Sequence, residues 1–312
     1  MSRENLINTT RAILAKASFD VSSALSLRSI CFDIVGRKDD RLLIIKVLSN
    51  IDAFSKENAD EMKILADALK ANPLLVGENS SSGPLEAGII YSRFKIPIVS
   101  NETLAEHLLE EVPPFIFAAP GGLYVKIDSD LLKEIRESNN ISLGTLAETA
   151  GVSRRTIQMY ESGMGAMIDA ALRLEEFLNV PIIEPLDPFE YKHDGKHAEY
   201  AVKQSISAPL EHMGEIGFDI IPVVKSPFDA ISRSPEITMF TGLGTEGDRL
   251  IQKALIAAEI SKIAGKHSLI IVDKKRSQNN IDTTAIVSND ELKKMDDKTE
   301  LTDVVLSRST KK

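Results

Sequence analysis

Residues Ile141–Gly163 read ISLGTLAETAGVSRRTIQMYESG, and this stretch decides how the middle of the chain folds. Ser142 is a good N-cap residue, and the apolar residues that follow it recur at helical spacing. Gly151 suits the left-handed conformation that ends a helix, and Ser153 is placed to cap a second helix. The inward face of the first helix would be Leu143, Leu146, Ala147 and Ala150. The stretch therefore predicts two short helices joined by a tight turn.

The second helix opens with two arginines and short polar side chains. Ile157 and Tyr160 lie three residues apart and share an inward face, which leaves the remaining side chains to a partner. Such a helix suits the major groove of DNA, where arginine can bond bidentately to guanine. We expect Arg154, Arg155, Thr156 and Met159 to face bases, and Ser142, Ser153 and Gln158 to position the helix on phosphates.

This stretch resembles the helix-turn-helix of the Cro/lambda-repressor (XRE-like) family. The Leu146–Ala147 pair, the Gly151–Ser153 turn and the Thr156–Ile157 pair followed by Glu161 stand at that family's spacing. The resemblance covers about residues 128–180 and implies binding of double-stranded DNA. Similar helix pairs also occur in proteins that never touch DNA, so a purely structural role is the alternative.

The resemblance also implies a first helix at Leu131–Glu137 and a closing helix at Ala170–Leu178. One position departs from the family, because Leu143 stands where a glutamine often contacts phosphate. Residues 128–180 hold five basic and nine acidic residues, a net charge of −4. Neutralised phosphates supply much of the affinity for DNA, so one copy should bind weakly. We therefore expect a homodimer, in which a second copy supplies the missing contacts.

The composition of the whole chain narrows the class of protein. The 312 residues carry a net charge of −9, which argues against broad non-specific binding to nucleic acid. No apolar run reaches the roughly 18 residues that a membrane span needs, and the first residues are too polar for a secretory signal. The single cysteine, Cys31, lies in an apparent strand and predicts a buried structural thiol. These features favour a cytoplasmic protein.

The segments on either side of the helix-turn-helix look related. Phe32–Val35 (FDIV) matches Phe218–Ile221 (FDII) at an offset of 186, and Ile98–Leu104 (IVSNETL) matches Ile286–Leu292 (IVSNDEL) at an offset of 188. Matching order and a nearly constant offset predict an internal duplication with the DNA reader inserted between the copies. The expected fold class is α/β with a central all-α helix-turn-helix domain and two related α/β halves flanking it.

The predicted domain organisation has four segments. They are an α/β domain at 1–127 with a degenerate nuclease-like site, a Cro-like helix-turn-helix domain at 128–180, a proline-rich linker at 181–195 and a second α/β domain at 196–312. In the first domain, Ser29–Gly36 and Arg41–Leu48 read as paired strands, the second of them buried on both faces. In the last domain, His197–Met213 and Asp248–Ala264 read as helices, and Leu301–Leu306 reads as an edge strand.

The first half resembles the restriction-endonuclease-like fold of archaeal Holliday-junction resolvases. That resemblance implies an Asp on one strand and a Glu-x-Lys on the next, which hold a divalent cation and position the attacking water. Asp33 takes the first position, but Lys46 stands where the glutamate belongs and Leu48 where the lysine belongs. The second half has Asp219 without a Glu-x-Lys. We therefore expect no catalytic residue, no metal ligand and no cofactor.

Other candidate groups favour plainer interpretations. His193 and His197 have metal-like spacing but lie in a predicted solvated loop, and Gly242–Gly247 reads as a turn rather than a phosphate cradle. The loop Asn79–Gly83 would suit a ligand pocket. Further candidates for contacts to phosphates or to an effector are Arg37, Lys38, Lys46, Tyr91 and Arg93, for which solvated surface is the alternative.

The overall layout resembles archaeal HTH-type regulators. That resemblance implies a sequence-specific transcriptional regulator, acting as a dimer, whose α/β halves dimerise or sense an unknown small-molecule effector. A metal-dependent nuclease or DNA-junction-processing enzyme targeted by the helix-turn-helix is the first alternative. A protein-binding scaffold, which the acidic charge permits, is the second.

Overall fold

The computed structural model describes residues 2–25, 30–193, 206–244, 247–274 and 277–309. The chain forms two compact units. The first comprises Met1–Leu48, Asp52–Pro73 and Tyr191–Lys312, and the second comprises Ser49–Ile51 and Leu74–Glu190. The chain thus leaves the first unit, completes the second, and returns to the first. The domain boundaries given above stay a prediction about sequence segments.

The elements up to residue 127 are three helices separated by groups of strands. They are α1 (Arg3–Lys16), β1 (Asp20–Val21), β2 (Ile34–Lys38), β3 (Arg41–Asn50), α2 (Lys56–Leu69), β4 (Asn72–Ser80), β5 (Gly83–Pro84), β6 (Ile89–Arg93), β7 (Ile96–Val99), α3 (Asn101–Leu109), β8 (Ile116–Ala119) and β9 (Gly122–Ile127). A 3₁₀ turn spans Ile51–Ala53. The β8–β9 hairpin turns at Pro120 and Gly121, with Ala119 paired to Gly122.

The middle of the chain is mostly helical. It contains α4 (Ser129–Ser138), α5 (Leu143–Ala150), α6 (Arg154–Tyr160), β10 (Ala166–Met167), α7 (Ile168–Leu178) and β11 (Ile183–Glu184). The last part contains α8 (Ala208–Glu215), β12 (Asp219–Pro222), β13 (Ala230–Arg233), β14 (Thr238–Gly244), α9 (Asp248–Ala264), β15 (His267–Val272), β16 (Asn280–Ile281), β17 (Thr284–Ser288), α10 (Asn289–Leu292) and α11 (Lys298–Ser309). In the predicted helix His197–Met213, only the part after residue 205 lies within the described residues, and helix begins there at Ala208.

In the first unit, β1, β2 and β3 pair in antiparallel fashion, with Ile34 opposite Ile45. Its later part forms a sheet in the order β12-β13-β14-β15-β17-β16, in which β14, β15 and β17 run parallel. Strand β3 is buried from Leu42 to Val47, which confirms the predicted burial on both faces. Side chains from both parts, among them Phe32 and Phe228, line one small apolar cavity, so the two parts share a core.

In the second unit, β4 pairs in parallel with β7, β7 in antiparallel with β6, and β6 in parallel with β8. The hairpin β8–β9 continues this order, and both β10 and β11 pair with β9. The helices α4 to α7 therefore pack beside β9 rather than forming a wholly separate bundle. No helix among the described residues is long and apolar enough to cross a membrane.

One sequence prediction about the last segment is wrong. Leu301–Leu306 forms part of the helix α11 and not an edge strand. Leu301, Thr302 and Val305 are buried while Asp303 and Leu306 are exposed, which is the spacing of a helix face. A short run that mixes apolar and polar residues fits either period, so the pattern alone did not distinguish them.

The match of Phe218-Asp219 to Phe32-Asp33 is also wrong. The Asp33 amide donates to the Ile45 carbonyl (2.7 Å), and the Asp229 amide donates to the Thr241 carbonyl (2.9 Å). In both cases the acceptor lies 12 residues after the donor (45 − 33 and 241 − 229). Each carboxylate then accepts from a backbone amide two residues further on, at Val47 and Leu243 (2.9 and 2.5 Å). The counterpart of Asp33 is therefore Asp229, which also follows a phenylalanine.

The second sequence match agrees with the strand pairing. In the first copy Leu75 lies opposite Ile98, and in the second copy Ile270 lies opposite Ile286, both in parallel pairs. The strand then leads into a helix that is capped by Ser100 in one copy and by Ser288 in the other. The two matches keep the same order at offsets of 196 and 188 residues, and the internal duplication stays a prediction.

The early and late segments of the first unit are joined by contacts around the buried carboxylate of Glu61. Glu61 on α2 accepts hydrogen bonds from the amides of Val224 and Lys225 (2.5 and 3.0 Å). The Cys31 amide donates to the Lys225 carbonyl (2.8 Å). Cys31 itself is fully buried, and burial raises the pKa of its thiol, so it is a structural thiol as predicted, although it precedes β2 rather than lying in a strand.

Replacing Glu61 by glutamine should change how stability depends on pH. Burial is the main cause that raises the pKa of Glu61 above its ordinary value of 4.5. The folded state then keeps a proton that the unfolded state has lost, so the contribution of Glu61 falls as pH rises from 4.5 through the raised pKa. Glu61→Gln keeps an acceptor for both amides and removes the buried charge. The unfolding free energy of this variant relative to wild type should therefore increase as the pH rises above 4.5, measured by urea denaturation.

The matched control is Glu57→Gln, because Glu57 is exposed on the same helix. This control should show no comparable change with pH. An identical pH profile for Glu61→Gln and wild type would contradict the prediction.

Candidate nucleic-acid interface

Helices α5 and α6 form the predicted pair, and their caps explain where they begin and end. The Ser142 hydroxyl accepts from the Thr145 amide (3.0 Å), and the Ser153 hydroxyl accepts from the Thr156 amide (3.1 Å). Between them Gly151 has a φ of 71°, the left-handed conformation that ends α5. All three assignments made from the sequence are confirmed.

The inward faces of both helices belong to one hydrophobic cluster. Ile157 and Leu146 are fully buried, and Tyr160 is nearly so. One strand outside the predicted domain completes this core, through Val125 and Ile127 on β9. The sequence analysis missed that contribution because the strand precedes the helical pattern. Burial of this face fixes the opposite face of α6 toward solvent.

An ion pair holds α6 against the first helix of the domain. The Arg136 guanidinium on α4 bonds to both carboxylate oxygens of Glu161 (2.5 and 3.1 Å), and this hydrogen bonding is the main cause that raises the pKa of Arg136. Ser129 donates to the carbonyl of Tyr160 (2.6 Å). The sequence analysis assigned Arg136 no role beyond its charge, since nothing local connects it with Glu161, 25 residues further along the chain.

The end of the domain is also fixed by hydrogen bonds. Glu175 on α7 accepts from the amides of Ile182 and Ile183 (2.7 and 2.8 Å). Ile183 begins β11, which pairs with β9. The first residues of the predicted linker therefore belong to the fold of the helix-turn-helix domain.

The side chains expected to face DNA lie on the exposed side of α6. Arg154, Arg155 and Gln158 are exposed, and Met159 is 43% exposed despite being apolar. Thr156 is half-buried, and its hydroxyl contacts that of Ser153 (2.8 Å). Within the described residues, neither arginine has a carboxylate partner. Both guanidinium groups are therefore available to a ligand.

Each capping serine is paired with a threonine hydroxyl, and each pair retains one hydrogen-bonding proton for a partner. The Ser142 hydroxyl lies 2.9 Å from that of Thr145, and the Ser153 hydroxyl lies 2.8 Å from that of Thr156. In each pair only one hydroxyl can donate to the other, so the second keeps a free proton. A phosphate oxygen could accept that proton without breaking the helix cap.

The structure brings Arg154 to the amino end of α5. A Cβ atom built on Gly144 would lie 3.2 Å from Nε and Nη2 of Arg154 and 3.4 Å from the hydroxyl of Ser142. The first turn of α5 contains no acidic residue, so positive charge is concentrated there. Leu143, which replaces the family's glutamine, is half-buried against the core and contributes no polar group. Arg154 thus supplies a cation where that glutamine is missing.

Replacing Gly144 by alanine should weaken DNA binding without lowering the stability of the fold. The new methyl group would push the Arg154 guanidinium by a few tenths of an ångström, and the flexible side chain can move without disturbing the fold. We expect affinity for DNA to fall by roughly 1 kcal/mol, a part of the about 1–3 kcal/mol that an arginine contact supplies. The helix itself should gain a part of the about 0.5–1 kcal/mol known for the middle of a helix, since Gly144 is the second residue of α5. Fluorescence anisotropy with labelled duplex and thermal melting would measure the two effects.

Thr149→Ala on the same helix is the control, because it raises helix propensity at a position away from Arg154. DNA affinity that is unchanged in Gly144→Ala would show that the position of Arg154 does not matter.

The nuclease-like position in the first unit is occupied by cations. Asp33 accepts from Arg3 (2.7 Å), from Lys46 (3.3 Å) and from the amide of Val47 (2.9 Å). Lys46 also donates to the Ile30 carbonyl (2.8 Å), and burial lowers its pKa. A carboxylate neutralised in this way offers little to a divalent cation. The described residues contain no cluster of three His, Cys, Asp or Glu side chains that could hold a metal ion.

The later copy carries a similar pair. Asp229 forms an ion pair with Lys253, which also donates to the Leu243 carbonyl (2.9 Å). Lys253 comes from helix α9, whereas Lys46 comes from the neighbouring strand. In each copy, therefore, an ammonium group lies against the aspartate. Asp219, the residue first matched to Asp33, instead pairs with Arg233 at the surface (2.5 Å).

The weaker candidates are engaged in structural contacts. His193 bonds to Asp67 (3.0 Å), while His197 lies outside the described residues. The Asn79–Gly83 loop is largely a β4–β5 hairpin. The residues considered for phosphate or effector contacts do not form one group. Arg37 donates to the Ala264 carbonyl, Lys38 lies over the Phe19 ring, and Lys46 is buried. Tyr91 accepts from the Glu86 amide, and Arg93 lies over the Phe94 ring.

Comparison with family models matches two parts of the chain. A model described as a PD-(D/E)XK superfamily domain matches residues 3–114, and a model described as helix-turn-helix matches residues 132–184. The second match extends past residue 180 to include β11, in agreement with the hydrogen bonds that fix that strand. No solved structure matches the chain.

Whole-length relatives occur in several archaea. The chain is 40% identical over 319 residues to a protein of Methanocella arvoryzae, covering 100% of this chain and 98% of the relative. It is 36% identical over 307 residues to a protein of Methanoculleus marisnigri (98% and 99% covered) and 35% identical over 315 residues to one of Halobacterium salinarum (99% and 98% covered). Their names describe all three, provisionally, as HTH-type transcriptional regulatory proteins.

Proposed function

Because the chain belongs to the family of archaeal HTH-type transcriptional regulatory proteins, we propose that it is a sequence-specific DNA-binding regulator that works as a dimer in the cytoplasm. Arg154, Arg155, Thr156 and Met159 read bases, and Ser142, Ser153 and Gln158 contact phosphates. A small-molecule effector bound by the α/β halves adjusts this activity.

One observation carries the proposal. On a chain whose net charge is −9, two adjacent guanidinium groups lie exposed on α6 without a carboxylate partner among the described residues. One of them lies at the amino end of α5, where the helix dipole favours an anion. Burying the opposite face of α6 leaves this group of side chains in the position that suits the major groove.

The charge of the helix-turn-helix domain supports the proposed dimer. With a net charge of −4 over residues 128–180, one copy neutralises few phosphates. Two copies on a two-fold axis double the contacts and read two half-sites about one helical turn apart. Leu172 and Phe177 are about half exposed at separate positions on α7, and we propose that these side chains take part in the contact between copies.

We further propose that the chain is not an enzyme. The PD-(D/E)XK match covers the part of the chain in which Asp33 bonds to Arg3 and Lys46. Metal-dependent cleavage needs carboxylates that are free to hold the cation, and a lysine cannot replace one of them. The domain would then serve as a scaffold for dimerisation or ligand sensing.

Selective retention of genomic fragments tests the proposal. The full-length protein is mixed with sheared chromosomal DNA at a stated salt concentration, with and without Mg²⁺, and retained fragments are sequenced. We expect a small set of enriched fragments of intact length, and sedimentation velocity should give a dimer. Shortened fragments that appear only with Mg²⁺ would establish the nuclease alternative, and the absence of any enrichment would refute sequence-specific binding.

A further inference from the structure

A cleft of about 410 Å³ opens in the first unit at the carboxyl end of α9. Its walls come from α9, the start of β15, the turn before β17 and the last turn of α11. The polar lining residues are Ser261, Lys262, Lys266, His267, Thr283 and Ser309. Sites for small molecules have volumes of about 300–1,000 Å³, so the cleft has the size of a ligand site.

The lining of the cleft is basic. It includes two lysines and a histidine, together with hydroxyl groups, and no carboxylate is found among the described lining residues. Other lysines in this part of the chain are paired, as Lys253 is with Asp229 and Lys298 with Glu236. Neither Lys262 nor Lys266 has such a partner within the described residues. Two unpaired ammonium groups beside one cleft, in an acidic protein, indicate an anionic ligand.

Lysines at the carboxyl end of a helix often bond to its last carbonyl groups, but this role does not account for Lys262 and Lys266. Here Arg37 already donates to the Ala264 carbonyl (3.0 Å), and the amide of Lys266 donates to the Ser261 carbonyl (2.8 Å). Gly265 closes the helix in the left-handed conformation, with a φ of 64°. The ammonium groups of Lys262 and Lys266 are therefore not needed to end α9.

The histidine suits an anion as well. Burial, and after it the charge of Lys266, lowers the pKa of His267 below its ordinary value of 6.5. The imidazole is consequently neutral near pH 7, where one ring nitrogen donates a hydrogen bond without adding a charge. No bond to this ring is found among the described residues, and Thr283 adds a second neutral donor in the same cleft.

We propose that this cleft binds a small phosphate-bearing molecule, with Lys262 and Lys266 bonding to the phosphate and with His267 and Thr283 donating to its oxygens. A concave site of this volume suits a free phosphate compound rather than the backbone of a duplex. The inference rests on the proposed function only in that the bound molecule would be the regulator's effector. Binding itself is independent of DNA and can be tested without an operator.

Titration calorimetry of the full-length protein with inorganic pyrophosphate at low salt tests the site. Wild type should bind one pyrophosphate per chain, and the double variant Lys262→Ala/Lys266→Ala should bind at least tenfold more weakly. The matched control is Lys293→Ala/Lys294→Ala, which removes the same charge from an exposed pair outside the cleft. This control should bind like wild type, and thermal melting should show that both variants are folded.

Three results would overturn the proposal: no binding by wild type, an equal loss in both double variants, or displacement of pyrophosphate by excess duplex DNA of random sequence. The last result would assign the lysines to DNA contact. Because none of these measurements uses selective DNA binding, a failure here leaves the regulator assignment to its own experiment.

Discussion

Replacing both Arg154 and Arg155 by alanine is expected to abolish selective DNA binding while leaving the fold intact. Both side chains are exposed on α6, and the described residues contain no carboxylate bonded to either. A bidentate contact between arginine and guanine is worth about 1–3 kcal/mol, which is roughly 5–150-fold in affinity for each single variant. The double variant should approach the affinity for random DNA, measured by anisotropy with an enriched fragment and with a scrambled duplex.

The control variant is Lys133→Ala, which removes one positive charge from an exposed position on α4 of the same domain. It should lower affinity for both duplexes by a similar, small factor, because a general charge effect is independent of sequence. Equal behaviour of Arg154→Ala and Lys133→Ala would show that α6 does not read bases. A lowered melting temperature in the arginine variants would assign them a structural role instead.

The second large effect concerns stability, at Asp33. Replacing Asp33 by alanine leaves the buried ammonium group of Lys46 without its carboxylate, and breaking a buried ion pair in this way costs about 3–5 kcal/mol. The neighbouring Arg3 loses the same partner but is half exposed, so solvent compensates for much of its loss. Urea denaturation should show a corresponding decrease in the free energy of unfolding.

The later copy provides the matched comparison. Asp229 occupies the same position relative to its strands, but its side chain is 39% exposed and that of Lys253 is 25% exposed. Asp229→Ala should therefore cost only about 1 kcal/mol, as expected for a solvent-screened pair together with one backbone hydrogen bond. Lys46→Met should also cost less than Asp33→Ala, since Asp33 retains Arg3 and the Val47 amide. Equal losses at Asp33 and Asp229 would contradict the role given to burial.

The helix-turn-helix was predictable because its signals are local. Ser142, Gly151 and Ser153 each act within three residues of the chain through a cap or a left-handed turn, and the apolar spacing fixes which side is buried. The long apolar run of β3 was equally clear, since burial on both faces leaves little choice of residue. The exposure of the arginines followed from these two rules together.

The features that were missed depend on residues far apart in sequence. Nothing in the sequence connects Arg136 with Glu161 or Glu61 with the amides near residue 224, because these contacts exist only after the segments have packed. The misplaced match at Asp219 has a different cause. Phe-Asp occurs twice in the later segment, and only the hydrogen bonds across the strands select Asp229.

The first unit is built from the two ends of the chain, and this arrangement has a consequence for synthesis on the ribosome. Residues 74–190 must be translated before Tyr191 and the part that follows it can join the opening segment. At the usual rates of about 5–20 residues per second, Leu42–Val47 would wait roughly 9–36 s for Phe228 and its neighbours to emerge. A nascent chain with so apolar a strand is a natural client for a chaperone until its last segment arrives.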